Sequence, residues 1–297
     1  MGGFSRRTSA ELIMVVVAII WGAVFVFVKN ALTEIGPFVF LALRFLLAFV
    51  LLITMAWNNI KSIHIGTIRY GCLLGFFLFI GYSGQTVGLK YTTASNAAFI
   101  TGMSVVLVPI LYALINLKKP ELRTILTVLG ALLGLYLMSF PSNNLNLSRG
   151  DVLELIGALG FALHMIFVDR YSHRHNAVAI TSIQILLVGV LSLAIGIACE
   201  SWPKHLSIVV ASAILVTSLF ATSLAFLLMN ALQKYSTPTR FAVVLTTEPV
   251  FAAIAAYLWM GEALTLRAYI GAAIILLSML ISLITRKHRE PAVQQLG

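Results

Sequence analysis

Lys234–Leu264 reads KYSTPTRFAVVLTTEPVFAAIAAYLWMGEAL. The run is apolar enough to cross a bilayer, yet Glu248 and Pro249 stand near its middle. An earlier stretch, Lys90–Phe99, reads KYTTASNAAF and opens another apolar run in the same way. Pro109 then corresponds to Pro249, Glu121 to Glu262 and Gly130 to Gly271, so the offsets run 144, 140, 141 and 141. A shift of four residues is about one helical turn, which a helix absorbs without rotating its face. Upstream, Trp21 matches Phe161 and Arg44 matches Gln184, both at an offset of 140. A proline, a glutamate and a glycine recurring in order point to an internal repeat rather than to chance similarity among apolar helices.

Composition says where such a repeat sits. Of 297 residues, 60% are hydrophobic and 10% charged, with a mean hydropathy of +1.00. A soluble chain of this length needs far more charged surface. Apolar runs of about 20 residues read as membrane helices, because backbone polar groups in lipid must be satisfied within each span. The formal charge of +10 does not imply nucleic acid, since the basic residues fall between apolar runs, as topology signals do. Cys72 and Cys199 lie inside apolar runs with no CxxC or histidine at ligand spacing, and read as small core residues. The basic start and long run from Leu12 to Val28 read as a retained first span rather than a cleaved signal. No soluble domain fits between the spans.

Ten spans are expected. They are Leu12–Val28, Pro37–Trp57, Ile68–Leu89, Ala94–Leu117 and Leu122–Phe140, then Val152–Val168, Val178–Cys199, Leu206–Leu232, Pro238–Met260 and Leu266–Thr285. With the N-terminus inside, fourteen of the 20 Lys and Arg fall on the cytoplasmic side, among them Arg6, Arg7, Lys118, Lys119, Arg123, Arg240 and Arg286. Six fall elsewhere: Lys29, Arg44, Lys90, Arg149, Lys204 and Arg267. This bias places both termini in the cytoplasm. The polar linker PSNNLNLSRGD, Pro141 to Asp151, divides the chain nearly in half, giving units 1–145 and 146–297. Five is an odd number, so two similar five-span halves insert with opposite orientation. The expected fold is an all-α membrane protein with ten transmembrane helices in two inverted-topology repeats, a design common among secondary transporters.

The tail of each half resembles the EamA unit of the drug/metabolite transporter superfamily. The likeness is carried by the Glu-Pro pair, the Gly-Glu turn after that span, and IGAAII nine residues later, within Lys234–Ile281. The first half holds a weaker copy, with Val108 in place of the glutamate, and the opening AIIWGAVFVFVKNALTEIGPFVFLALRF is also similar, through Trp21, Pro37 and Arg44. The resemblance implies a carrier of the inner or plasma membrane, with a central cavity lined mainly by spans 1, 3, 4, 6, 8 and 9. It implies export of amino acids, other small metabolites or toxic compounds, and leaves the substrate open.

Glu248 lies ten residues past Pro238, about 15 Å along its helix. A carboxylate there requires protein or water beside it, and Pro249 frees a backbone carbonyl. Glu248 therefore reads as a proton or substrate-amine group, or as a structural carboxylate bonded to Thr246, Thr247 or a neighbouring helix. His164 reads as a titrating or donating group, or as a neutral histidine tied to a neighbour. Arg44 either snorkels outward or pairs with a carboxylate such as Glu154, in a structural role. Tyr82 and Gln85 suit a cavity wall, as do Trp21, Phe25, Tyr91, Asn96, Phe99 and Thr101 on spans expected to line it. The substrate-binding set expected is Trp21, Tyr82, Gln85, Asn96, Thr101, His164 and Glu248. The spacings Gly71/Gly75, Gly84/Gly88 and Gly130/Gly134 permit close helix contact within the chain, or alternatively in a homodimer. Glu121 and Glu262 read as caps or interfacial ion pairs.

The leading function is a secondary or facilitative transporter for an amino acid or other small molecule, embedded in lipid, without cofactor or metal. No GxxxxGK[ST] is present to drive it with nucleotide. The alternative is a membrane-embedded enzyme acting on a lipid or lipid-linked substrate. Its best candidate is VDRYSHRHN, with Asp169, His173 and His175 in a short loop, which otherwise reads as a basic cytoplasmic turn. A channel is disfavoured because no selectivity ring of polar residues is apparent.

Overall fold

The computed structural model describes residues 6–56, 64–91, 97, 100–117, 119–139, 148–260 and 265–284. All of its regular elements are helical. They are α1 (Arg6–Ala31), α2 (Pro37–Ala56), α3 (Ile65–Gly88), α4 (Ser104–Asn116), α5 (Leu122–Ser139), α6 (Arg149–Tyr171) and α7 (Ala177–Cys199). Then come α8 (Ile208–Val216), a π-helical segment (Thr217–Leu224), α9 (Ala225–Leu232), α10 (Pro238–Leu245), α11 (Glu248–Met260) and α12 (Leu266–Ile284). Seven helical stretches are long and apolar enough to cross a membrane, and Ile100–Asn116, Leu122–Leu137 and Leu266–Ile281 are shorter apolar helices.

Several helix starts carry their own polar stop. Ser148 and Asp151 form a reciprocal capping box at α6, with Ser148 N–H donating to Asp151 Oδ2 at 2.6 Å. Asn176 Oδ1 accepts from Val178 N at 2.9 Å at the head of α7. Thr237 caps α10, with Pro238 at its first position. These groups satisfy the amide donors that a helix N-terminus leaves open, which matters more in lipid than in water. The α2 start uses a distant carboxylate instead. Glu200, after α7, accepts from Phe38 N at 3.1 Å and Val39 N at 2.9 Å.

Two expected spans are not continuous. Pro238–Met260 breaks at Thr246–Thr247, between α10 and α11, and the described part of Ala94–Leu117 breaks at Met103. Thr246 and Thr247 bond their hydroxyls to Val243 O and Val244 O, covering carbonyls at the end of α10. Leu206–Leu232 is continuous but underwound through the π segment, which the sequence shows only as the hydroxyl-rich TSLFATS.

Packing is dominated by contacts between the two halves. α2 lies on α7, α5 on α12, and α4 on α10. α3 lies on α6 and α1 on α8 and the π segment, while α1 also meets α11 and α4 meets α6. The glycine pairs are used here. A Cβ on Gly84 would lie 2.5 Å from Leu153 O and 2.6 Å from Gly157 N, so α3 and α6 touch backbone to backbone. Gly71 and Gly75 face Ile183 and Gln184, and Gly130 and Gly134 face Ser278 and Gly271. Cys72 is half-buried, but Cys199 is exposed. The expectation of a core position fails for Cys199 because it ends α7 at the rim of the bundle.

Candidate functional site

A cavity of about 100 Å³ opens where α1, α3, α6, α9 and the α10–α11 break converge. Trp21, Tyr82, Gln85, Thr101, His164 and Glu248 all line it. Asn96 and Phe99, and the side chain of Phe25, lie outside the described residues. Tyr91 is 60% exposed and does not reach the cavity, because it follows the end of α3 at the bundle rim. The lining adds one helix to those the resemblance implied, α2, through Arg44.

Arg44 is the residue the sequence reading placed wrongly. It neither snorkels outward nor pairs with Glu154. It is 4% exposed, its Nε donates to Thr222 Oγ1 at 2.8 Å, and its Nη2 donates to Tyr82 Oη at 3.3 Å. The guanidinium lies 4.8 Å from the Tyr82 ring centre and 5.4 Å from that of Phe45. Such stacking offsets part of the cost of burying the charge. The π segment explains the position. It turns Thr222 toward Arg44, while Ser218 Oγ donates to the Arg44 carbonyl at 2.8 Å and Ser223 Oγ to that of Ala48 at 3.0 Å. Trp21 Nε1 donates to Ala221 O at 2.8 Å, covering a carbonyl within this irregular turn. π turns concentrate at functional sites because they redirect side chains and carbonyls that an α-helix would stack in register.

Glu248 occupies the first turn of α11, where the helix N-terminus favours negative charge. Its carboxylate has no hydrogen bond or ion pair among the described residues; the hydroxyls of Thr246 and Thr247 go to the α10 carbonyls instead. The helix start itself is held by α1. A Cβ on Gly22 would lie 2.7 Å from both Glu248 O and Ala252 N.

Glu154 is a second carboxylate, which sequence reasoning treated only as a partner for Arg44. It is fully buried in α6, where Oε2 accepts from Thr101 Oγ1 at 3.0 Å and Oε1 has no partner among the described residues. Gln85 Nε2 reaches Thr101 Oγ1 at 3.3 Å, so a short polar chain links Glu154 to the cavity wall. His164 Nε2 pairs with Gln184 Oε1 at 2.6 Å, and its ring meets the edge of Phe226.

Away from the cavity, Glu11 is fully buried near the start of α1 and binds Arg240 Nε and Nη2 at 2.5 and 3.0 Å, and Ser236 Oγ at 2.5 Å. This clamp ties α1 to the head of α10. The VDRYSHRHN turn assembles no cluster. His173 Nδ1 meets the Asp169 carbonyl at 3.0 Å and His175 Nδ1 meets Thr67 Oγ1 at 3.0 Å. Partial burial first, then the neighbouring His173, His64 and Arg174, hold the His175 imidazole below its ordinary proton affinity. Tyr171 stacks on Tyr70 with ring centres 4.1 Å apart. Glu121 is exposed before α5, where its carbonyl accepts from Ile125 N, and Glu262 lies outside the described residues. No group of three His, Cys, Asp or Glu able to hold a metal occurs among the described residues.

Known proteins match this arrangement over nearly its whole length. A sequence model of the EamA-like transporter family matches residues 8–140 and again 148–284. An uncharacterized transporter of Archaeoglobus fulgidus is 35% identical over 93% of this chain and 86% of its own. The uncharacterized transporter YvbV of Bacillus subtilis is 24% identical over 98% of this chain and 96% of its own. One crystal structure superposes with a TM-score of 0.81 at 15% identity, covering 94% of this chain and 99% of that one, a likeness of fold. These relatives and the apolar helices make this chain a multi-pass, non-enzymatic membrane transporter, and it belongs to the EamA-like transporter family.

Proposed function

We propose that this protein is a secondary or facilitative carrier that exports amino acids or other small metabolites by alternating access. The observation that carries the reading is the cavity between the halves, which gathers six of the residues expected to bind substrate. Its mixed lining of aromatic side chains and a few polar groups suits an amphipathic small molecule.

The architecture proposed with it is ten transmembrane helices in two inverted five-helix repeats, 1–145 and 146–297. The three shorter apolar helices count as spans in this reading. The tandem family matches and the packing of one half on the other support it. In such designs broken helices meet the substrate near the midplane, and the interruptions at Met103 and at Thr246–Thr247 fit that role. The Glu11–Arg240 clamp would be one contact broken when that side opens. We place the chain in the cell membrane with both termini cytoplasmic, from the basic-residue bias. The glycine pairs are occupied within the chain, so a homodimer would use another surface.

The test compares extracellular and intracellular metabolites by mass spectrometry in cells carrying wild type, Glu248→Gln or empty vector at matched membrane expression. Wild type is expected to accumulate one metabolite class outside, and Glu248→Gln to reduce this about tenfold, the scale of one lost charged hydrogen bond. Equal profiles for wild type and vector, repeated with the purified protein in liposomes, would end the export reading.

A further inference from the structure

The cavity holds one buried cation and one carboxylate, and neither is matched by an opposite charge among the described residues. Arg44 has five N–H donors, and two are used, both on neutral oxygens of Thr222 and Tyr82. No carboxylate lies within ion-pair distance of it among the described residues. Glu248 has no hydrogen-bonding or ionic partner among the same residues. Arg44 is also fixed in place: Ser218 holds its carbonyl, Thr222 its Nε, and two rings flank its guanidinium. A guanidinium fixed in this way, with unused donors on a cavity wall, is preorganised for a planar oxyanion.

We infer that the cavity takes a zwitterion with an apolar body, whose carboxylate binds Arg44 and whose ammonium binds Glu248. This rests on the reading of the cavity as the transport site and narrows its substrate. Charge matching decides the class. A purely anionic solute would pair Arg44 and leave Glu248 beside a second negative group. A purely cationic solute would do the reverse. In a site removed from bulk water, each unmatched charge carries a large penalty, and only a solute bearing both signs removes both. Phe161, Phe226 and Met229 line the remaining wall and provide for the apolar part.

The test uses purified protein and two sets of probes: L-leucine with 3-methylbutylamine and 4-methylpentanoate, and L-phenylalanine with phenethylamine and 3-phenylpropanoate. Each set removes the carboxylate or the ammonium and keeps the body. Wild type is expected to bind at least one amino acid about tenfold or more tightly than either of its analogues. Arg44→Gln should erase the preference over the amine while keeping that over the acid, and Glu248→Gln should do the converse. Arg44→Lys, which keeps the charge but not the fork, should fall between. A general folding defect would weaken all probes together, so the ratios carry the result. Equal binding of a zwitterion and its analogues, no binding of either amino acid, or variants that leave the ratios unchanged would overturn the inference. Export of a non-zwitterionic metabolite in the cell experiment would also end it, yet leave the transporter reading intact. A wild type that moves nothing would instead end the transporter reading itself.

Discussion

Glu154 and Glu248 are both carboxylates set in apolar helices, and the fold treats them in opposite ways. Glu154 is closed off: its side chain is wedged against Gly88, where a Cβ would lie 2.8 Å from its Cγ, and it accepts a hydrogen bond from Thr101. Glu248 is held by its backbone, which Gly22 approaches, and its side chain is left open to the cavity. One glycine therefore immobilises a carboxylate, and the other immobilises the helix start from which a carboxylate reaches out. The first arrangement builds the wall; the second leaves a group available to a ligand.

Substitutions at three places would break or sharpen this contrast. The largest effect is expected from Gly22→Ala, because the atoms in its way are backbone and cannot rotate aside. It should cost about 3 kcal/mol, read as a lower melting temperature in detergent, and should reduce transport as α11 is displaced. A melting temperature equal to wild type would remove Gly22 from the account of how Glu248 is placed.

Gly88→Ala should cost less, about 1–2 kcal/mol, since the Glu154 side chain can shift. Transport should stay within about threefold of wild type, because the perturbed carboxylate does not face the cavity directly. A collapse of transport with unchanged melting would mean that the Thr101–Gln85 chain carries Glu154 into the transport step.

The smallest effect, that of Glu154→Gln, belongs to the Thr101–Glu154 bond. Thr101→Val removes the one donor to Glu154 among the described residues and should cost about 1–3 kcal/mol. Adding Glu154→Leu should recover most of that loss, since replacing both partners with apolar groups is nearly neutral. Glu154→Gln alone keeps an acceptor for Thr101 and should change stability by less than about 1 kcal/mol. If the double variant is less stable than Thr101→Val alone, Glu154 has another role in the wall.

Much of this molecule was legible before any coordinates. Hydropathy marks the helices because lipid requires every backbone group to be satisfied within a segment. The Glu-Pro pair pointed to the interruption that separates α10 from α11, although the chain turns at Thr246–Thr247, just ahead of the proline. Six of the seven expected site residues meet at one cavity, and the seventh, Asn96, lies outside the described residues. Tyr91 shows the limit of that reading, since helical position alone cannot say whether an aromatic at a span end turns inward.

Arg44 marks the larger limit. Its matches to the family opening and to Gln184 singled it out, yet its partners Thr222 and Tyr82 lie 178 and 38 residues away. The hydroxyls that receive it are turned by a π segment whose only trace in the sequence is a hydroxyl-rich stretch. The sequence by itself determined the membrane class and most of the helices, because these follow from local hydropathy and spacing. Only the tertiary structure decided which buried charges were given partners and which were left to the cavity, because that depends on side chains brought together across the two halves.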